Sequence, residues 1–256
     1  MRYRPASIIL ICSLIAAFLF WAAPGRCASP LDSLLLVTED FPPYNYARDG
    51  EAAGLSTEVL LAMLKSLGSS LGRADIKILP WARGYWFLQE RPNTLLYSVT
   101  RTPERERLFK WVGPIAQNKN VLLARKDRHI VLGSLEEAKA FRIGAVRDDA
   151  GGQLLMAAGI GNETLDVSGD PRANMLKLAR NRIDLFAYPE TVAQWICKAE
   201  GLSPDDFESV YVLHQGELYF ALNKKTPEAI VRTLQEALDG LKQRGEIDTI
   251  LKAGSR

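Results

Sequence analysis

Short apolar runs rich in branched residues alternate with amphipathic stretches along most of this chain, and that alternation limits the fold more than any other feature. Residues 34–38 read as a strand and 56–67 as a helix, followed by a strand at 76–79, a helix at 81–90 and a strand at 94–99. The first helix has Ser56 as a hydroxyl cap, an apolar stripe of Val59, Leu60, Met63, Leu64 and Leu67, and Gly68 as its stop. The second half repeats the pattern, with strands at 121–124, 141–146, 163–167 and 183–187 and helices at 134–140, 151–158, 171–180 and 189–200. Asp170 before Pro171 is a cap and first-turn pair, and Thr226 before Pro227 repeats it ahead of the closing helix. The economical architecture is α/β, with two lobes that each carry a mainly parallel sheet flanked by helices.

Ahead of this pattern, Arg2 and Arg4 precede an uncharged apolar run at 6–23, the layout of a secretory signal peptide. The run just reaches the lower limit for a membrane span, so an uncleaved anchor is the alternative. Removal of residues 1–28 leaves roughly 230 residues, enough for one large domain or two smaller ones. Loss of Arg2, Arg4 and Arg26 takes the formal net charge from +2 to −1, a balance that does not suggest a nucleic-acid partner. Of three cysteines, only Cys197 is securely in the mature part, so there is no disulfide framework. His129 and His214, the two histidines, stand alone, and no metal or other cofactor is expected.

Several segments in order resemble one family. TEDFPPYNY at 38–46 with Gly50 and Gly54, SVTRTPERERLFKWVGPI at 98–115, FRIGAV at 141–146, NRIDLF at 181–186 and LKQRGEIDTIL at 241–251 are similar to the family-three periplasmic solute-binding proteins of amino-acid ABC transporters. The resemblance implies a type II periplasmic binding protein fold, in which two lobes joined by two crossing strands close over a ligand. Lobe 1 would then be 29–116 together with 214–256, and lobe 2 would be 117–213. It also implies a monomer that captures a small carboxylate-bearing ligand, an amino acid or a relative of one, in the periplasm and presents it to the membrane permease of an ABC importer.

In that family the arginine of the segment resembling 102–105 holds the ligand carboxylate, and Arg105 occupies its place. A planar guanidinium suits the task because two parallel charge-assisted hydrogen bonds fix both position and orientation. The bland alternative is that Glu104, Arg105, Glu106 and Arg107 form a solvated charged face. Ser98 and Thr100 align with small polar ligand contacts, and alternation along a strand would put them on one face. Phe41 and Trp81 are the expected aromatic wall, suited to an aliphatic chain or a cation, and Arg83 is a second candidate anion contact. One departure stands out in the second lobe. Where amino-acid binders carry an aspartate for the ligand ammonium, this chain has Pro189, leaving Tyr188 and Glu190 as candidate contacts, while Asp148, Asp149 and Ala150 replace the usual small hydroxyl residues.

Two other functions use the same fold: a dehydratase-like enzyme with Glu190 or Asp149 as a buried acid, and a soluble ligand sensor for a membrane receptor. The sequence offers no nucleophile, base and orienter set, so catalysis is not expected. N-terminal sequencing of the envelope fraction should find processing between Gly25 and Ala28; a chain that still starts at Met1 would establish the anchored form.

Overall fold

The computed structural model describes residues 29–161 and 163–253; the expected signal segment, with its processing region, Cys12 and Cys27, lies outside them. The strands are β1 Leu35–Thr38, β2 Tyr46–Arg48, β3 Glu51–Ala53, β4 Lys77–Ile78, β5 Thr94–Thr100, β6 Phe109–Arg125, β7 Ile143–Val146, β8 Leu165–Ser168, β9 Leu185–Pro189 and β10 Phe207–Asn223. The α-helices are α1 Leu55–Ser66, α2 Trp81–Glu90, α3 Ala150–Ala157, α4 Pro171–Ala179, α5 Glu190–Ala199, α6 Glu228–Gln243 and α7 Glu246–Ala253.

Eight strands form one sheet in the order β4, β1, β5, β10, β6, β9, β7, β8, while β2 and β3 pair as a separate hairpin. The pairings β1 with β4 and β5, and β7 with β8 and β9, are parallel, as helical crossovers require. Within the eight-stranded sheet of the described residues, antiparallel pairing enters only through β6 and β10, which run against each other and against β9 and β5. Each of these two strands is 17 residues long, far beyond the short runs that periodicity marks out. In the middle, Gln117 to Lys119 pair with Gln215 to Glu217, and no other strand is paired to them. The two halves of the sheet are therefore joined by a two-stranded neck.

Burial explains why the flanking helices dock where they do. In α6 the buried residues Ile230, Val231, Leu234, Leu238 and Leu241 form one stripe, which joins Val59, Leu60, Met63 and Leu64 of α1 in a common core. Leu122, Leu155, Leu185 and Ala187 centre a separate core in the other half. A third cluster contains residues of both halves, Val37, Leu96 and Trp81 with Val121, Phe186 and Tyr188.

Local details differ from the sequence expectations for identifiable reasons. Helix α1 is capped by Gly54 rather than by the Ser56 hydroxyl, which is buried without a partner. Gly54 has φ +109°, and a Cβ there would stand 2.6 Å from the Tyr44 carbonyl oxygen, so close backbone approach sets the helix start. Gly68, at φ +64°, follows α1 as the expected stop. Asp170 caps α4 by accepting from the Arg172 amide at 2.9 Å, but the cap of α6 is Pro227 and not Thr226. Residues 135–140 form a 3₁₀ segment, one residue later than the predicted helix and more tightly wound.

The start of α3 lies directly against β9. A Cβ on Gly151 would meet the Ala187 carbonyl oxygen at 2.7 Å, whereas one on Gly152 would make ordinary contacts with the Ala145 side chain at 3.4 Å and the Val146 carbonyl oxygen at 3.5 Å. Gly151→Ala should therefore lower stability by about 1–3 kcal/mol through overpacking. Gly152→Ala should be neutral or slightly stabilising, because alanine is the better helix former. Thermal melts of the two variants check this, and equal melting temperatures would show that α3 is free to shift off β9.

Candidate functional site

After β5 the chain turns, with the Thr102 carbonyl accepting from the amides of Arg105 at 3.1 Å and Glu106 at 3.0 Å. This turn divides the run of charged residues. Glu104, Glu106 and Arg107 are exposed, and Glu106 is held by Arg101 at 2.6 Å, but Arg105 is turned inward and only 1% exposed. The solvated-face alternative therefore fails at this one residue.

Arg105 is held from both sides of the neck. Its Nη1 donates to the Thr100 carbonyl at 3.3 Å, its Nη2 to the Asp148 carbonyl at 3.0 Å, and its Nε to Gln153 Oε1 at 2.9 Å. The guanidinium also lies 5.1 Å from the ring centres of both Trp81 and Tyr85, which stack on each other. Burial pushes its pKa down, and the nearby Asp149 carboxylate pulls it back up.

Two backbone departures accompany this arrangement. Ser98 has φ +60° and Asp148 φ +59°, a left-handed region that non-glycine residues adopt at a cost. At Ser98 the pairing with β10 shifts register, so plain alternation does not fix how Ser98 and Thr100 face each other. Both are buried: Thr100 Oγ1 accepts from Asn118 Nδ2 at 2.9 Å, and Ser98 Oγ has no partner within the protein.

Phe41 and Trp81 are buried in the same cluster, together with Tyr188. The Phe41 ring meets Tyr188 edge-on at 6.3 Å across the two halves, and Tyr188 stacks on Phe186 at 5.0 Å. Arg83 does not join them; it is exposed, with its guanidinium 5.7 Å from the Phe87 ring. Glu190 is also engaged elsewhere, in an ion pair with Lys119 at 3.1 Å.

The carboxylates nearest Arg105 in electrostatic terms are Asp149 and Glu39. Both are buried, and burial raises the pKa of each. For Glu39 the rise is large and Asp149 adds to it, while Arg105 opposes it; for Asp149, Arg105 is the main opposing influence. Tyr188 is likewise raised well above its ordinary value by burial and by these two acids. Further buried polar atoms have no partner within the protein: Thr102 Oγ1, Asn118 Oδ1, both side-chain polar atoms of Asn120, Asp149 Oδ2 and Trp81 Nε1. Such atoms are costly unless something hydrogen-bonds to them. Sequence reasoning missed Asn118 and Asn120, although amides at alternate positions beside the apolar run Val121 to Ala124 were a usable signal. Beside this cluster a cavity of about 360 Å³ is lined from one half by Glu39, Asp40 and Trp81 and from the other by Asp170, Arg172 and Ile196.

A sheet crossed by two long strands, with a buried polar cleft beside the crossing, defines the class of periplasmic binding protein folds. The chain belongs to the bacterial extracellular solute-binding proteins, family 3, whose model matches residues 34–253. Among solved structures it is similar to a histidine kinase sensor domain described as resembling periplasmic binding proteins (TM-score 0.76, 18% identity, 86% of this chain and 95% of that one). It is also similar to an ArgBP mutant from T. maritima (0.73, 18%, 88% and 98%) and to an ABC uptake transporter substrate-binding protein from Streptococcus pneumoniae with bound histidine (0.71, 18%, 86% and 92%). At these identities the likeness is one of fold. No curated protein sequence matches the chain. Among the described residues, no helix is long and apolar enough to cross a membrane.

Glu39 provides a direct test of the buried cluster. A carboxyl whose pKa is raised on folding contributes stability below its unfolded value, and that contribution is lost as pH rises through the folded value. Glu39→Gln should thus melt close to wild type near pH 4 and above it at about pH 9, by roughly 2–4 °C for each kcal/mol recovered. A ligand-free melting series that instead found the variant less stable at high pH would show that Glu39 is well solvated or well paired.

Proposed function

We propose that this protein captures a small carboxylate-bearing solute, an amino acid or a close relative, between two lobes and delivers it to the membrane permease of an ABC importer. The observation that carries the reading is Arg105, a guanidinium that is 1% exposed and surrounded by buried polar atoms with no protein partner. A cation so placed needs an anionic or strongly accepting companion. Ser98, Thr100, Asn118 and Asn120 supply neutral donors and acceptors beside it, and Phe41, Trp81 and Tyr188 supply ring surfaces.

The two-stranded neck at residues 117–119 and 215–217 supports lobes of 29–116 with 214–256 and of 117–213, moving about the ribbon between them. The contacts that cross between the halves, at Arg105, Phe41 and Tyr188, belong to the closed arrangement. The protein acts in the periplasm as a monomer after loss of residues 1–28, and it releases its ligand unaltered.

Mass spectrometry of the solute freed by denaturing purified protein identifies the ligand, and calorimetric titration with that solute tests the anchor. Arg105→Ala should weaken binding about a hundredfold, the effect of stranding a buried charge partner, while Arg107→Ala should change it little. Full affinity in Arg105→Ala would remove the central residue of this reading.

A further inference from the structure

We propose that the cleft selects a ligand with net positive charge, an amino acid bearing a cationic side chain, whose two cations are shared between Glu39 and Asp149 beside the Phe41 and Tyr188 rings. This rests on the solute-binding reading and narrows it to one chemical class.

The argument begins with a charge count. The buried ionisable side chains electrostatically coupled around Arg105 include two carboxyl groups, Glu39 and Asp149, but only one cation. A neutral zwitterion would place its carboxylate on Arg105 and its ammonium on one acid, leaving the other acid either charged without a partner or protonated, the form that burial already favours. Unpaired buried charge is among the most expensive arrangements in a protein. One additional positive group on the ligand removes the mismatch. Glu190, the acid that sequence alone offered for this task, is already paired with Lys119.

The surroundings point the same way. The cavity beside the cleft is lined by Glu39, Asp40 and Asp170, and its only cation, Arg172, reaches Glu200 at 3.4 Å. An approaching cation therefore meets a field of favourable sign. Its volume of about 360 Å³ lies within the range of small-molecule sites. The Phe41 and Tyr188 rings, which meet edge-on at 6.3 Å across the two halves, offer aromatic surface of the kind that holds a cation, as Trp81 and Tyr85 hold Arg105.

The test compares L-arginine with L-citrulline, its uncharged near-isostere, by calorimetry on wild-type protein freed of bound solute. L-lysine and L-ornithine extend the cationic panel. At least one cationic member should bind, and L-arginine should bind at least tenfold more tightly than L-citrulline. Glu39→Gln and Asp149→Asn should each shrink that ratio towards one. Equal or tighter binding of L-citrulline would overturn the proposal, as would a ratio unchanged in both variants or no binding of any cationic member at millimolar concentration. Failure of the underlying reading looks different: it is loss of the Arg105→Ala effect on whichever solute mass spectrometry recovers. Recovery of a neutral or acidic amino acid whose binding depends on Arg105 would sink the charge assignment and leave solute capture intact.

Discussion

A guanidinium that is almost wholly removed from water must have its donors met by something else, and at Arg105 both halves of the molecule share that task. Thr100 offers a carbonyl from the end of β5, while Asp148 and Gln153 reach it from the loop and helix that follow β7. Those sequence-distant groups converge only when the two halves are together. Two left-handed residues, Ser98 and Asp148, lie beside this convergence, the kind of local cost that surrounding structure sustains at functional sites.

The connection between the halves is slight by comparison. Covalently and through the sheet they are joined only where β6 and β10 run side by side without further neighbours. Across the cleft, the Tyr44 hydroxyl donates to the Gln117 carbonyl at 3.2 Å, Phe41 meets Tyr188, and Tyr46 meets Trp195 at 5.9 Å. These add to the apolar cluster that holds residues of both halves, while each half also has a core of its own. In the proposed capture, the balance between a narrow ribbon and a charged cleft would let a bound solute influence the relation of the lobes, since a ligand shifts an equilibrium only through contacts it makes better in one state.

Much of this arrangement was legible in the amino-acid order. The strand and helix alternation, the Asp170 cap, the Gly68 stop and the family to which the chain belongs can be read directly, because periodicity, capping and motif spacing are local properties. Arg105 was legible through its motif, although its neighbours Glu104, Glu106 and Arg107 have the same charged character and proved exposed. The length of β6 and the presence of β10 were not, since strands at the neck and cleft carry polar residues such as Asn118, Asn120 and Gln215 that interrupt the apolar pattern.

Sequence by itself determined most of the alternating strands and helices and their order, consequences of residue type and spacing over a few positions, and the family resemblance set Arg105 apart from a charged run. Tertiary structure alone decided the partners of that arginine. Glu39 and Asp149 lie in different halves and are far apart in the chain, and Glu190, the acid closest to the family's usual position, is neutralised by Lys119. Charge pairing depends on distance and desolvation in three dimensions, and neither is encoded by any short stretch of residues.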